Sequence, residues 1–157
     1  MTGLAEETRV EEVALGPLAN SLGLLVRMSK VRIFESFFEA LSHYDLKPGE
    51  FSVLWIISIN PGVRPGAIAQ RLLIRPAHMT KLISRLVALG YVTRRVPADD
   101  RRAVELFLSE EGERFVAGAK AEFFGYSKDP DGRLTQPEMQ QLLTLLRKYV
   151  GIEEPKT

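Results

Sequence analysis

The sequence has no cysteine among its 157 residues, which excludes disulfide scaffolds, thiolate metal sites and thiol-based redox sensing. No apolar run approaches the ~18 residues that a membrane span needs, and residues 1–13 lack the apolar segment of a signal peptide. We therefore expect a cytoplasmic protein that contacts no membrane and starts with a flexible acidic tail over residues 1–13. With two histidines, no glycine-rich phosphate loop and no nucleophile–base pair, we expect no enzyme, no cofactor and no metal site.

Net positive charge is confined to one stretch of the chain. Between Asn60 and Ala103 there are nine basic residues and two acids, a net charge of +7, whereas the whole chain is +1 and the remainder is therefore −6. A basic surface confined to one region is the electrostatic feature expected of a duplex-DNA binder. The nine residues are Arg64, Arg71, Arg75, Lys81, Arg85, Arg94, Arg95, Arg101 and Arg102.

Apolar periodicity predicts a mainly α-helical protein with one small antiparallel β-hairpin. The middle of the chain has the order short helix, turn, helix and hairpin, which is a winged helix-turn-helix. The broad apolar stripe of the first helix leaves two possibilities open: a core helix, or a helix that also packs against a second subunit. The predicted helices span 17–43, 48–58, 65–72, 76–89, 109–126 and 135–151, and the strands span 91–96 and 103–108.

The helix over 76–89 contains no acid, and the side opposite its apolar stripe is small, polar or basic. A helix fits the major groove, where base edges distinguish all four base pairs. Phosphate contacts position a protein without reading sequence. The candidate groove residues are Ala77, Thr80, Lys81, Ser84 and Arg85; the candidate phosphate contacts are Arg64, Arg71, Arg75, His78, Arg94 and Arg95.

The hairpin tip carries Arg101 and Arg102 beside Asp100. A narrow minor groove concentrates negative potential and attracts arginine. A neighbouring carboxylate can hold the guanidinium in place by a bidentate pair. A solvated charged turn is the alternative interpretation, but the position between two strands directly after a basic helix favours a role in the minor groove.

Residues 46–112 resemble the MarR (multiple antibiotic resistance regulator) family of bacterial winged-helix regulators. The resemblance rests on four segments taken in order: PGAIAQRL over 65–72, MTKLISRL over 79–86, DDRRA over 99–103 and LFLSEEG over 106–112. It implies a homodimer that binds a palindromic DNA operator and represses transcription. By this match Arg102 is the wing-tip arginine and Asp100 its buttress, while Pro76 and His78 replace the small hydroxylated residues frequent in the family.

The resemblance also implies a division of the chain. Residues 14–45 form an N-terminal dimerisation helix, 46–110 the DNA-binding domain, 111–151 the C-terminal dimerisation helices and 152–157 a tail. Many members release DNA when a small organic ligand, often aromatic, enters the crevice between the dimer helices and the winged helix. His43, Tyr44 and Trp55 are the candidate crevice residues, with ordinary packing as the alternative.

Two other interpretations remain at this point. A winged helix can serve protein–protein contact without sequence-specific DNA binding, although the basic window argues against it. Residues 127–138 partly match a calcium loop, in which Ser127, Asp129, Asp131 and Glu138 would be ligand positions. A turn followed by a capping box at Thr135 explains the same residues.

Overall fold

A computed structural model describes residues 13–98, 100–126, 129 and 131–152 of the chain. Most of the predicted acidic tail and of the C-terminal tail lies outside these residues. The fold is mainly helical with one two-stranded antiparallel sheet, which confirms the predicted class. The elements are a 3-10 turn (Gly16–Asn20), α1 (Leu22–Leu41), a 3-10 turn (Ser42–Tyr44), α2 (Glu50–Ile59), α3 (Pro65–Arg71), α4 (Pro76–Ala88), β1 (Val92–Arg95), β2 (Glu105–Leu108), α5 (Glu110–Gly125) and α6 (Gln136–Tyr149).

The N-terminal segment is divided, where the sequence predicts one helix over 17–43. A 3-10 turn ends at Asn20, and Ser21 is extended with φ −78° and ψ 112°. Its hydroxyl accepts a hydrogen bond from the Leu24 N–H at 3.4 Å, so Ser21 is the N-cap of a new helix. The reason is local: a serine side chain that satisfies a helix N-terminal N–H favours a fresh start over continuation.

Two helix ends define the helix-turn-helix, and both close with the hydrogen-bond pair of a Schellman motif. After α4, the predicted closing residue Gly90 has φ +79°, and Tyr91 N–H donates to the Leu86 carbonyl at 3.0 Å. After α3, the same left-handed position is occupied by Leu73 with φ +54°. Leu73 carries a Cβ that makes this conformation strained, and its side chain is 85% exposed.

The core lies between α2, α3, α4 and the hairpin, and α5 closes it from one side. Phe51 of α2 stacks on Phe123 of α5 with ring centroids 3.9 Å apart. The hairpin pairs Val92 with Leu108 at one end and Arg95 with Glu105 at the other. Gly112 allows α5 to begin against β1, because a Cβ there would collide with the Tyr91 carbonyl oxygen.

Large apolar side chains remain exposed on α1 and α6. In α6 no residue is buried, although the helix carries a row of leucines. Leu22 is 52% exposed and Leu145 is 56% exposed. Among the described helices, none is both long enough and apolar enough to cross a membrane. The exposed row therefore lacks a partner within the described part of one chain, and the described residues bury their core in the winged-helix region.

Candidate nucleic-acid interface

Helix α4 separates an apolar side from an exposed side, as its periodicity predicts. Met79, Leu82, Ile83 and Leu86 are buried in the core. The predicted groove residues Ala77, Thr80, Lys81 and Ser84 are all exposed together on the other side. The Thr80 hydroxyl donates to the Pro76 carbonyl at 3.0 Å, which leaves its lone pairs open to an incoming donor.

Arg85, the fifth predicted groove residue, is held by the protein itself. Its Nε donates to the Glu50 Oε1 at 3.0 Å, and its Nη2 donates to the Asp45 carbonyl at 2.8 Å. Its side chain is only 31% exposed, against 4% for the Glu50 side chain. Arg85 is therefore paired with a buried carboxylate behind the exposed side of α4, which makes it less available to DNA than the other four predicted groove residues.

Arg94 and Arg95 lie on opposite faces of the hairpin, because successive strand residues alternate. Arg94 Nη2 donates to the Ser84 hydroxyl of α4 at 2.9 Å, so it extends the exposed side of that helix. The Arg95 guanidinium lies 4.4 Å from the ring centroid of Phe107 on the other face. The sequence predicts that both residues contact phosphates, whereas the structure places them on opposite faces of the hairpin with different partners.

The wing tip is organised by Asp100, although not as predicted. Its Oδ1 accepts a hydrogen bond from the Arg102 backbone N–H at 3.1 Å, and its Oδ2 lies 3.6 Å from Arg64 Nη2. Asp100 therefore contacts Arg102 through its backbone N–H, and its carboxylate also pairs with Arg64. Arg101 and Arg102 are exposed, and their side chains extend a tip that Asp100 holds against α3. Asp99 lies outside the described residues.

The remaining predicted phosphate contacts are exposed around α3 and α4. Arg64 is the N-cap residue of α3, and Arg75 is that of α4. His78 lies in the first turn of α4, and Arg71 is the last residue of α3. Arg71 also lines a groove of about 600 Å³ that α3 forms with Val150 and Ile152 beyond α6. Arg71, Arg75 and His78 therefore lie around the turn between α3 and α4, whereas Arg64 lies at the other end of α3 beside the wing residue Asp100.

The three predicted crevice residues do not form one site. The Tyr44 hydroxyl donates to the Glu122 Oε2 at 2.7 Å, and its ring packs edge-on against Phe115. This hydrogen bond to a carboxylate raises the pKa of the Tyr44 phenol above its ordinary value. His43 Nε2 lies 3.4 Å from the other oxygen of Glu122. His43 and Tyr44 therefore contact the face of α5 that carries Phe115 and Glu122.

Trp55 lies on the other side of α5. Its ring packs edge-on against Phe124 at 4.9 Å. It also lines a groove of about 320 Å³ together with Phe107, Glu113 and Lys120. At ~100° per residue, Glu113 and Lys120 lie roughly 160° around the helix from Phe115 and Glu122. The groove that Trp55 lines therefore includes neither His43 nor Tyr44.

The acidic side chains in the loop before α6 accept hydrogen bonds from other residues of the protein. Asp131 Oδ2 accepts from Arg32 at 2.7 Å and from Arg133 at 3.1 Å. Glu138 accepts from the Thr135 N–H at 2.8 Å in the predicted capping box, and these hydrogen bonds lower the Glu138 pKa. Ser127 lies outside the described residues. Within the described segments, no three acids or histidines are grouped to hold a metal ion.

The comparisons with known proteins agree with this geometry. A model of the MarR family matches residues 44–103. The structure of the repressor CouR bound to a 23-mer DNA duplex superposes with a TM-score of 0.78 and 26% identity, covering 89% of this chain and 99% of that one. The chain is therefore similar to the MarR family over its winged-helix region, which confirms the resemblance that the sequence predicts.

Two further matches extend along most of the chain. A mutant of MarR from E. coli complexed with operator DNA has a TM-score of 0.74 and 25% identity, covering 87% of this chain and 99% of that one. The putative transcriptional regulatory protein for the hcr operon of Thauera aromatica is 24% identical over 147 residues, which are 93% of this chain and 89% of that protein. The similarity to these two proteins therefore extends to helices outside the winged domain, beyond the residues that the family model matches.

One interface residue was missed by the sequence reasoning. Glu50 begins α2 and is 3% exposed, yet it carries a carboxylate. Its Oε2 accepts from the Lys47 N–H at 2.8 Å, while its Oε1 accepts from Arg85. A glutamate at the start of a helix ordinarily indicates a favourable charge at the helix N-terminus. No local pattern indicated that it would be buried beneath α4.

Proposed function

We propose that this protein is a dimeric repressor that binds a palindromic DNA operator, with α4 in the major groove and the wing in the adjacent minor groove. The observation that carries the proposal is the exposed, acid-free side of α4, which Arg94 extends onto the hairpin. Two of the matched structures hold DNA. From here α4 is called the recognition helix.

The burial and contacts of these side chains support a smaller set of DNA-contacting residues than the sequence predicts. Base edges would be read from Ala77, Thr80, Lys81 and Ser84, which share the exposed side of the recognition helix. Phosphates would be neutralised by Arg64, Arg71, Arg75, His78 and Arg94, and the minor groove would take Arg101 and Arg102 from a tip organised by Asp100. Arg85 and Arg95 are left out of this surface because both are held elsewhere.

Dimerisation rests on the exposed apolar residues of α1 and α6. A monomer rarely exposes an apolar patch of this extent, because burial of such area against a second copy is favourable. A twofold dimer would present two recognition helices, and bound half-sites then lie about 34–36 Å apart, one helical turn. Operator symmetry would reflect protein symmetry.

The effector would be a small aromatic or other organic molecule. The groove beside Trp55 has a volume of about 320 Å³, at the lower end of the range for small-molecule sites. Its walls combine the Trp55 and Phe107 rings with the charged groups of Glu113 and Lys120, which suits an aromatic compound bearing a polar substituent. His43 and Tyr44 belong to the other side of α5, where their contacts are structural.

The test is a binding measurement with labelled duplex fragments of the source genome at moderate salt. We expect affinity to fall steeply with salt, because several phosphates are neutralised. Arg102→Ala should weaken binding by about tenfold or more, the effect of losing one strong groove contact. Arg114→Ala is the matched control, since Arg114 is exposed on α5 and pairs with Glu111. Equal effects of the two substitutions would refute the wing assignment, and no binding to any duplex would favour a protein–protein module.

A further inference from the structure

Arg85 connects the recognition helix to the start of α2 and to the corner between α1 and α2. One edge of its guanidinium faces the buried Glu50 carboxylate at the start of α2, with Nε to Oε1 at 3.0 Å. Its Nη2 reaches the carbonyl of Asp45 at 2.8 Å and the Asp45 Oδ1 at 3.4 Å. Asp45 lies in the corner between α1 and α2 and has φ +45°, so the backbone turns sharply there.

The same corner is attached to α5 on its other side. Tyr44, next to Asp45, donates its hydroxyl hydrogen to Glu122 at 2.7 Å, and His43 lies 3.4 Å from Glu122 as well. Three consecutive residues of the corner therefore join two helices that do not contact each other through these side chains. One end of this connection is α5 in the predicted dimerisation region, and the other is the recognition helix.

We propose that Arg85 is a positioning residue, which through Glu50 and the corner 43–45 fixes the placement of the recognition helix relative to α5. This proposal rests on the proposed DNA-binding function. Apolar packing alone is non-directional, so the buried side of the recognition helix leaves sliding and rotation weakly restrained. A guanidinium bound to a carboxylate and a carbonyl restrains both the sliding and the rotation of the helix, because its N–H donors point in fixed directions.

Small displacements matter at a DNA groove. Binding constellations need to be held within about 0.5 Å and 10–20° of the productive geometry. Lys81 and Ser84 lie on the same helix within one turn of Arg85 and share its rigid-body motion. Loss of the Arg85 contacts would therefore weaken every base contact of the helix together, without removing a phosphate contact. This property separates a positioning residue from a DNA-binding one.

Four variants test the proposal: Glu50→Gln, Arg85→Lys, Tyr44→Phe and, as the phosphate-contact comparison, Arg75→Ala. Arg85→Lys keeps the charge and loses the fork, and Tyr44→Phe keeps the ring and loses the hydroxyl. We expect the first two to raise Kd for the wild-type duplex about tenfold and Tyr44→Phe about threefold, the range for losing one or two charge-assisted hydrogen bonds. Arg114→Lys should leave Kd unchanged.

The salt dependence of Kd distinguishes a positioning residue from a residue that contacts phosphate. We expect the slope of log Kd against log salt to stay at the wild-type value in the first three variants and to fall by about one in Arg75→Ala, which removes a proposed phosphate contact. Circular dichroism and thermal unfolding accompany each variant, and binding is measured well below the unfolding temperature of the least stable one. If Glu50→Gln fails to fold, Arg85→Lys carries the test.

Two results would overturn the proposal. If Arg85 contacted DNA, Glu50→Gln would release the guanidinium and tighten binding, the opposite sign from the one expected here. If Arg85→Ala, unlike the charge-conserving Arg85→Lys, lowered the salt slope as Arg75→Ala does, Arg85 would be a phosphate contact. Failure of the proposed function is a separate outcome, because wild-type protein would then show no salt-dependent binding to any duplex, and the positioning role would fall with it.

Discussion

At the scale of single residues, two arginines adjacent in sequence have different surroundings. Arg94 extends the exposed side of the recognition helix through Ser84, while Arg95 covers the Phe107 ring on the opposite face. An arginine stacked on an aromatic ring gains ~0.5–1 kcal/mol at an exposed site and need not serve another partner. Charge alone therefore does not identify a DNA contact in this protein.

This difference can be tested by comparing two variants, Arg94→Ala and Arg95→Ala. We expect Arg94→Ala to weaken operator binding and to reduce the salt slope by about one, since it removes a phosphate contact. Arg95→Ala should change the slope little and instead reduce stability by less than about 1 kcal/mol. Anisotropy titrations at several salt concentrations, with urea unfolding of both variants, measure the two effects. A larger slope change for Arg95→Ala would contradict the separation of the two faces.

A second residue-scale prediction concerns Leu73, the strained residue between α3 and α4. Leu73→Gly removes a left-handed penalty of ~1–2 kcal/mol and adds ~0.5–1 kcal/mol of unfolded-state entropy. Little burial is lost, because Leu73 is 85% exposed. We expect a net stabilisation of roughly 0.5 kcal/mol in urea unfolding. Gly90→Ala is the reverse change at φ +79° and should destabilise the protein. If both variants changed the free energy of unfolding in the same direction, the explanation by left-handed strain would be contradicted.

At the scale of elements, the capping box at the start of α6 makes that helix sensitive to acid. Hydrogen bonds from Thr135 lower the Glu138 pKa. A carboxyl whose folded pKa is depressed contributes stability above its unfolded pKa, about 4.3 for glutamate. That contribution is lost as the pH falls through the lower folded value.

Glu138→Gln is the corresponding change, and we expect it to be less stable than wild type at neutral pH. The difference between the two proteins should shrink as the pH drops below about 4, because protonated Glu138 then resembles the variant. Urea unfolding across this pH range at one protein concentration measures the difference. Glu35→Gln on α1 is the control, since no hydrogen bond or ion pair is described for it. A pH-independent difference would rule out the capping carboxylate as its source.

At the scale of the whole molecule, the apolar rows of α1 and α6 predict that stability depends on protein concentration. A protein whose folded state is a dimer unfolds at a temperature that rises with concentration. Leu145→Asp places a charge on a residue that is 56% exposed in one chain and should produce monomer. Val96→Asp, on an equally exposed residue of the hairpin, is the control and should leave the dimer intact. Sedimentation velocity distinguishes the species, and a monomeric wild type would refute the proposed assembly.

The sequence by itself determined the order of elements, the apolar side of each helix, the exposed side of the recognition helix and the capping box. These are local properties: the helical period of 3.6, the alternation of strands and the chemistry of caps and turns each involve residues a few positions apart. The charge imbalance between the 60–103 window and the rest is likewise additive along the chain. Such features need no knowledge of distant contacts.

The tertiary structure decided which charged groups are committed to one another. Glu50 and Arg85 are 35 positions apart, and Tyr44 and Glu122 are 78 apart. No periodicity specifies such pairs, because they arise only when α2, the recognition helix and α5 pack together. Packing also placed α5 between Tyr44 and Trp55. The basic stretch consequently divides into groups that remain open to DNA and two arginines that are held elsewhere, Arg85 by Glu50 and Asp45 and Arg95 by the Phe107 ring.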